Sequence, residues 1–236
     1  MNPATLTVLA LTVALAAFVQ GSSGLGFALI VAPVAGILDP GLLPVFVLAS
    51  MIPLNLYVAW RERAALDLRG AGWITVARLA ATPGGLALLW LIPDRSLGLF
   101  VGIATVLAAV VSLAAPAFTP GRAAYVGAGA VTGLTETATG VGGPPLALVY
   151  QHRPPAELRA TVAVCFLIGE AASLVLLFAT GQGRVQDLGQ AVLLLPAIAA
   201  GAWLSRVVHH RLDARRMRLF VLLFALVSGV VLMLGV

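Results

Sequence analysis

The sequence predicts an all-α polytopic membrane protein made of two inverted-topology repeats. Each repeat is a broken re-entrant helical hairpin followed by three transmembrane helices. Three observations predict this. Hydrophobic residues make up 61% and charged residues only 10% of the 236 positions, against about 25% charged in an average soluble domain. Several apolar runs reach roughly 18 to 23 residues, the length that crosses a hydrocarbon core as helix. Two glycine-rich breaks interrupt apolar sequence, one in each half: Gly21-Ser22-Ser23-Gly24-Leu25-Gly26-Phe27-Ala28 and Thr139-Gly140-Val141-Gly142-Gly143-Pro144-Pro145-Leu146-Ala147. Backbone without helical pairing is costly at membrane depth. It is tolerated where it is buried in protein or lines a polar cavity. A matched pair of such breaks points to a transporter's binding site.

The apolar segments fall in order at about 4–20, 25–38, 41–60, 71–92, 97–117, 122–134, 143–151, 157–180, 188–208 and 216–235. Between them lie short joints rich in proline, glycine and charge, such as Asp39-Pro40-Gly41, Pro93-Asp94-Arg95 and Gly181 to Asp187. No joint is long enough to separate soluble domains. Residues 1–236 therefore form a single transmembrane domain. Its first repeat covers about 1–118 and its second about 119–236, since superposing Gly24-Leu25-Gly26 on Gly140-Val141-Gly142 brings the later elements into step. In that alignment Asn55 falls near Glu170.

The segments flanking each break are short, so each pair is either one broken crossing or a hairpin that returns to its own face. The arginines decide. Hairpins place Arg61, Arg63, Arg69, Arg122, Arg153, Arg159, Arg206, Arg211, Arg215, Arg216 and Arg218 on one face, leaving Arg95 and Arg184 on the other. Single crossings split them about eight to five, and positive loops belong in the cytoplasm. The hairpin reading puts both termini outside. It leaves an odd number of crossings per half, which inverts the second half relative to the first.

The net charge of +5 comes from arginine alone, for the chain has no lysine. Those arginines sit in short loops rather than in a basic domain, which argues against nucleic acid. The basic stretch from Arg206 to Arg218 suits anionic lipid heads at a cytoplasmic surface. Cys165 is the single cysteine and has no zinc-type partners. No metal or cofactor is implied. No positive charge precedes Arg61, so the first apolar run is read as part of the mature protein.

The candidate chemistry lies at the breaks. The first N–H groups of a half-helix that starts in mid-membrane form a ready anion site. Gly140, Gly142 and Gly143 permit close approach there, and Pro144 suits a first helical turn. In the first half Ser22 and Ser23 add hydroxyls beside Gly24 and Gly26. The competing reading is that these glycines only let helices pack closely. Arg78 is the arginine well inside a span. It serves as a counter-charge for an anion, or it snorkels to the surface. Glu136 and Glu170 are the carboxyls at membrane depth. They are candidates for proton coupling, against a structural role as protonated or arginine-paired groups.

These residues resemble the TauE/SafE sulfite-exporter family of bacterial and archaeal membrane proteins. The resemblance rests on Gly21 through Gly26 with Pro33, and on Gly133 through Gly140-Val141-Gly142-Gly143-Pro144 followed by Arg159-Ala160-Thr161. Leu25 and Phe27 depart from it, standing where glycine is common in the family. The resemblance implies transport of small sulfur-containing or organic anions across the cytoplasmic membrane: sulfite, thiosulfate, sulfoacetate or other sulfonates. It also implies coupling to the proton gradient. The alternatives are an ion channel or a non-transporting scaffold. An enzyme is disfavoured, since neither Gly-x-Ser-x-Gly nor His-Glu-x-x-His occurs.

Overall fold

The computed structural model describes residues 3–114, 120–208 and 214–234. Pro116, at the expected end of one span, and Arg211 lie outside the described residues. Every element longer than a single turn is helical: α1 Pro3–Ser23, α2 Phe27–Leu38, α3 Val45–Arg61, α4 Leu68–Leu91, α5 Asp94–Ala114, α6 Arg122–Thr139, α7 Gly143–Tyr150, α8 Pro155–Ala179, α9 Val185–Leu193, α10 Leu195–Val208 and α11 Ala214–Leu234. Among the described residues α1, α4, α5, α8 and α11 are long and apolar enough to cross a membrane. The bent pair α9–α10 adds a sixth if it is one span.

Both breaks fall where the sequence placed them, and glycine ends the helices there. Gly24 and Gly26 take φ of 88° and 116°, and Gly140 takes 79°. Those angles lie in the left-handed region that glycine enters without a Cβ penalty. Pro144 and Pro145 occupy the opening turn of α7, where a missing N–H is not needed for the helix ladder.

The arms differ from expectation in length. The first was expected to stop near residue 20, yet α1 runs 21 residues to Ser23, about 31 Å at 1.5 Å per residue. The cause is local: Ser22 and Ser23 hydroxyls bond the carbonyls of Phe18 and Val19 one turn back, at 2.8 and 2.9 Å, and so fit the helix. The arm α6 is 18 residues long, whereas the following helices α2 and α7 have only 12 and 8. The span expected at 188–208 is broken at Leu194, with a bend of 48°. Pro196 follows the break and has no N–H to continue the ladder.

α2 packs back on α1, and α7 on α6. The ring of Tyr125, in the first turn of α6, meets that of Tyr150 at the end of α7, centroids 5.7 Å apart. The main seams join α4 to α6, α1 to α10, α3 to α8 and α5 to α11. Two of them close on glycine. A methyl at Gly133 or Gly129 would collide with backbone carbonyls of Arg78 or Ile74 in α4, and one at Gly201 would collide with the Ala14 carbonyl in α1. Small residues let backbones approach in this way in membrane helices. Large apolar side chains such as Leu11, Leu56, Val175, Trp203 and Val227 point outward. That surface suits lipid better than water.

Candidate functional site

The two breaks meet inside the molecule. A methyl on Gly143 would lie 3.8 Å from the Leu25 Cβ and 3.9 Å from the Phe166 ring. Gly140 through Pro144 are all buried, as are Gly24 and Gly26, whereas Ser22 and Ser23 are partly exposed. The serine hydroxyls are already engaged: Ser22 donates to Phe18, and Ser23 is shared between the Val19 and Leu25 carbonyls at 2.9 and 2.7 Å.

A line of buried polar side chains connects the breaks. It begins at Phe27, whose N–H donates to Gln20 Oε1 at 3.0 Å and so satisfies the first exposed donor of α2. Gln20 Nε2 donates to Asn55 Oδ1, and Asn55 Nδ2 donates to Glu170 Oε1, both at 2.8 Å. Glu170 is fully buried, and its other oxygen has no hydrogen-bond partner. Next to it in sequence, Gly169 gives Arg78 its place: a methyl at Gly169 would collide with the guanidinium.

Arg78 is fully buried. It forms an ion pair with Glu136, donates from Nη1 to the Cys165 carbonyl at 2.6 Å and lies 5.3 Å from the Phe166 ring centroid. The burial rules out snorkelling. Glu136 in turn packs on the second break, because a methyl at Gly142 would sit 2.7 Å from its Cβ. Thr132 donates to the Gly142 carbonyl at 3.0 Å, and Thr139 caps the Val141 N–H at 3.0 Å. Thr137 and Ser173 bond each other nearby at 2.8 Å. Of the residues picked out in the sequence, Arg78, Glu136, Glu170, Gly142 and Gly143 thus come together around one centre. Pro144 and Gly140 flank it. Ser22, Ser23, Gly24 and Gly26 form the other break.

Sequence reasoning missed Gln20, and it noted Asn55 only as the position that matches Glu170. Their signal was position: Gln20 lies four residues before Gly24, as Glu136 lies four before Gly140. It also missed what Arg61, Glu62 and Arg159 do, having used Arg61 to orient the chain and Arg159 for orientation and for the family resemblance. Arg61 donates to the Gly21 carbonyl at 2.8 Å and Arg159 to that of Ser22 at 3.4 Å. Both bond Glu62. Partial burial alone would raise the Glu62 pKa. Arg159, by hydrogen bond and charge, and Arg61 outweigh it and hold the carboxyl below its ordinary value. The clamp is therefore ionised at neutral pH. It loses its anion only on acidification below the usual carboxylate range. No group of three or more His, Cys, Asp or Glu residues arranged to hold a metal occurs among the described residues.

Each half thus holds a broken pair of apolar arms, and buried polar and charged side chains join the two breaks. A family model, Sulfite exporter TauE/SafE, matches residues 9–232. The chain belongs to the TauE/SafE family. Membership covers nearly the whole chain and makes it a multi-pass membrane protein of an anion-exporting family, whose members are transporters rather than enzymes. Comparison with curated proteins and with solved structures returned no match.

Proposed function

We propose that this TauE/SafE protein is a proton-coupled secondary transporter for small sulfur-containing or organic anions such as sulfite, thiosulfate and sulfonates. It resides in the cytoplasmic membrane. The anion is held near the midplane by the N–H groups of Gly142 and Gly143, with Arg78 as its counter-charge. The observation that carries this reading is the buried line from Phe27 through Gln20, Asn55 and Glu170 to Arg78, Glu136 and Gly142, which spans both breaks.

Charge counting gives the coupling. Arg78 supplies one positive charge, and Glu136 and Glu170 supply up to two negative ones. A buried charge without a partner is strongly disfavoured, so the cluster is balanced with one carboxyl protonated. A proton arriving at Glu136 releases Arg78 to an incoming anion. When that proton leaves, Glu136 reclaims Arg78 and expels the anion. The Glu136 carboxylate and the anion therefore take the one cation in turn, and the proton is bound while the anion is.

The fold supports two inverted repeats, about 1–118 and 119–236, each a re-entrant hairpin plus three crossings. Tyr125 beside Tyr150 fits an out-and-back hairpin. The α4–α6 and α1–α10 seams exchange places under the repeat alignment, and so do their glycines Gly85 and Gly201. One end of the molecule gathers Arg61, Glu62, Asp67, Tyr150 and Arg159. Its Arg61–Arg69 loop is assigned to the cytoplasm and both termini to the outside. On the opposite side Arg184 ties the 180–187 turn to the Gly41 carbonyl.

The test is uptake by purified protein in vesicles, across sulfite, thiosulfate, sulfonates, carboxylates and sulfate. Saturable transport of some of these, driven by an imposed pH gradient, is expected. Flux that never saturates would favour a channel, and no flux at all would favour a scaffold. Labelling of cysteines placed in the Arg61–Arg69 loop from outside intact cells would overturn the orientation.

A further inference from the structure

The clamp on the first break is short of one anion. Glu62 Oε1 accepts from Arg61 Nε at 3.2 Å, Arg61 Nη2 at 3.0 Å and Arg159 Nε at 3.0 Å. One carboxylate thus serves two guanidinium groups through a single oxygen. All three side chains are nearly enclosed, with 13%, 12% and 10% exposure for Arg61, Glu62 and Arg159. Arg61 Nη1 is buried and has no hydrogen-bond partner, and the guanidinium carbon lies 5.5 Å from the Tyr57 ring centroid. What remains of the two cations is spent on neutral acceptors, the Gly21 and Ser22 carbonyls. These are among the last carbonyls of α1, which the helix itself cannot satisfy. Gly24 lets this happen: its left-handed φ and missing Cβ bring the break against Leu158 and Arg159, where a methyl would collide with the Leu158 side chain.

A buried surplus cation with an unused donor is a site for an anion. Two guanidinium forks converging on one carboxylate oxygen match the several oxygens of a small oxyanion better than they match that one oxygen. We propose that Arg61 and Arg159 form a second anion site at the mouth of the first break, specific for a small doubly charged oxyanion. The anion displaces Glu62 and draws both arginines off the Gly21 and Ser22 carbonyls. The end of α1 is thereby untied only when an anion is present. The site deepens the transport reading and rests on it: it is where the anion meets the carrier on the face bearing the Arg61–Arg69 loop, one stop before the centre at Arg78. Doubly charged sulfite or thiosulfate binds there in preference to acetate or chloride, because only a doubly charged ligand replaces Glu62 and also neutralises the surplus.

The experiment measures half-saturation for sulfite and thiosulfate from each side of vesicles of known protein orientation. Arg61→Gln and Arg159→Gln are expected to raise it by about tenfold or more on the Arg61–Arg69 face and to leave the other face within about twofold. Glu62→Gln removes the internal competitor and lowers it on the same face by about tenfold. If the arginine variants insert poorly, Glu62→Gln alone decides: an unchanged or raised half-saturation overturns the site. Arginine variants with wild-type values on both faces overturn it too, while leaving transport through Arg78 intact. A wild-type protein that moves no anion would sink the transport reading itself, and this site with it.

Discussion

The two breaks use one backbone device and two different chemistries. Each has a long helix, a left-handed glycine and a short helix returning along the first. The first break is partly open, and two arginines hold its α1 carbonyls from outside the core. The second is sealed, and its neighbours are the Arg78–Glu136 pair and threonine hydroxyls. Matched positions sharpen the contrast. The superposition that lays Gly24 on Gly140 also lays Gln20 on Glu136 and brings Asn55 close to Glu170. The first half carries amides where the second carries acids, and Asn55 and Glu170, 115 residues apart, bond one another directly. Under the proposed repeat the scaffold is supplied twice. Titratable charge needs to be supplied only once, and a second charged set would add buried ions without partners.

The largest expected effect comes from removing the fully buried Arg78 cation. Arg78→Gln leaves Glu136 and Glu170 without a counter-charge, and breaking a buried pair from one side costs about 3–5 kcal/mol. Transport should vanish, and the melting temperature in detergent should fall clearly. Adding Glu136→Gln to that variant should restore much of the melting temperature and none of the transport. A single Arg78→Gln protein that melts like wild type would show that the charges are not what joins the halves.

Next come the two glycines of the second break, which the structure separates. Gly142→Ala puts a methyl against Glu136 and Thr132, whereas Gly143→Ala has ordinary van der Waals room. Anion affinity should fall by about 100-fold for the first, on the scale of one or two lost charge-assisted contacts. It should fall only a few-fold for the second. Gly72, which faces open space, is the control. Equal losses at Gly142 and Gly143 would mean that contact with Glu136 does not matter.

Glu136→Gln mimics the protonated acid. Anion binding should stay within a few-fold of wild type, and transport should stop responding to an imposed pH gradient. If the response survives, proton coupling passes to Glu170, whose free oxygen makes it the next site to test. The smallest effects belong to Ser22→Ala and Ser23→Ala. Their hydroxyls bond their own helix, so each loss should cost at most about 1 kcal/mol of stability. Half-saturation should barely move. A large change at either serine would return the first break to direct contact with the anion.

Much of this was legible in the sequence. Hydropathy placed nearly every helix, and glycine at the breaks announced the left-handed turns, because few other residues tolerate them. The depth of Arg78 and Glu136 was visible as charge inside apolar runs. Their pairing was not, since partners 58 residues apart on different helices leave no local pattern. The bonds made by Gln20 and Asn55 were hidden for the same reason: their positions match Glu136 and Glu170, but a single amide in an apolar stretch has no meaning until its neighbour is known. The arginines of the clamp were counted for orientation, and nothing in their spacing shows that two of them turn inward onto carbonyls. The break at Leu194 had a signal in Pro196 that the surrounding hydrophobicity masked.

The seam between α1 and α10 also orders events during synthesis. α1 leaves the ribosome well before the helix that covers its Ala14 and Ala17 surface, which begins at Leu195. At about 5–20 residues per second that partner follows on the order of ten to thirty seconds later. α4 and α6 emerge close together and can join at once. The α4–α6 seam therefore closes early and the α1–α10 seam only after α10 has followed, so α1 and α2 are the part that must wait in the bilayer unfinished.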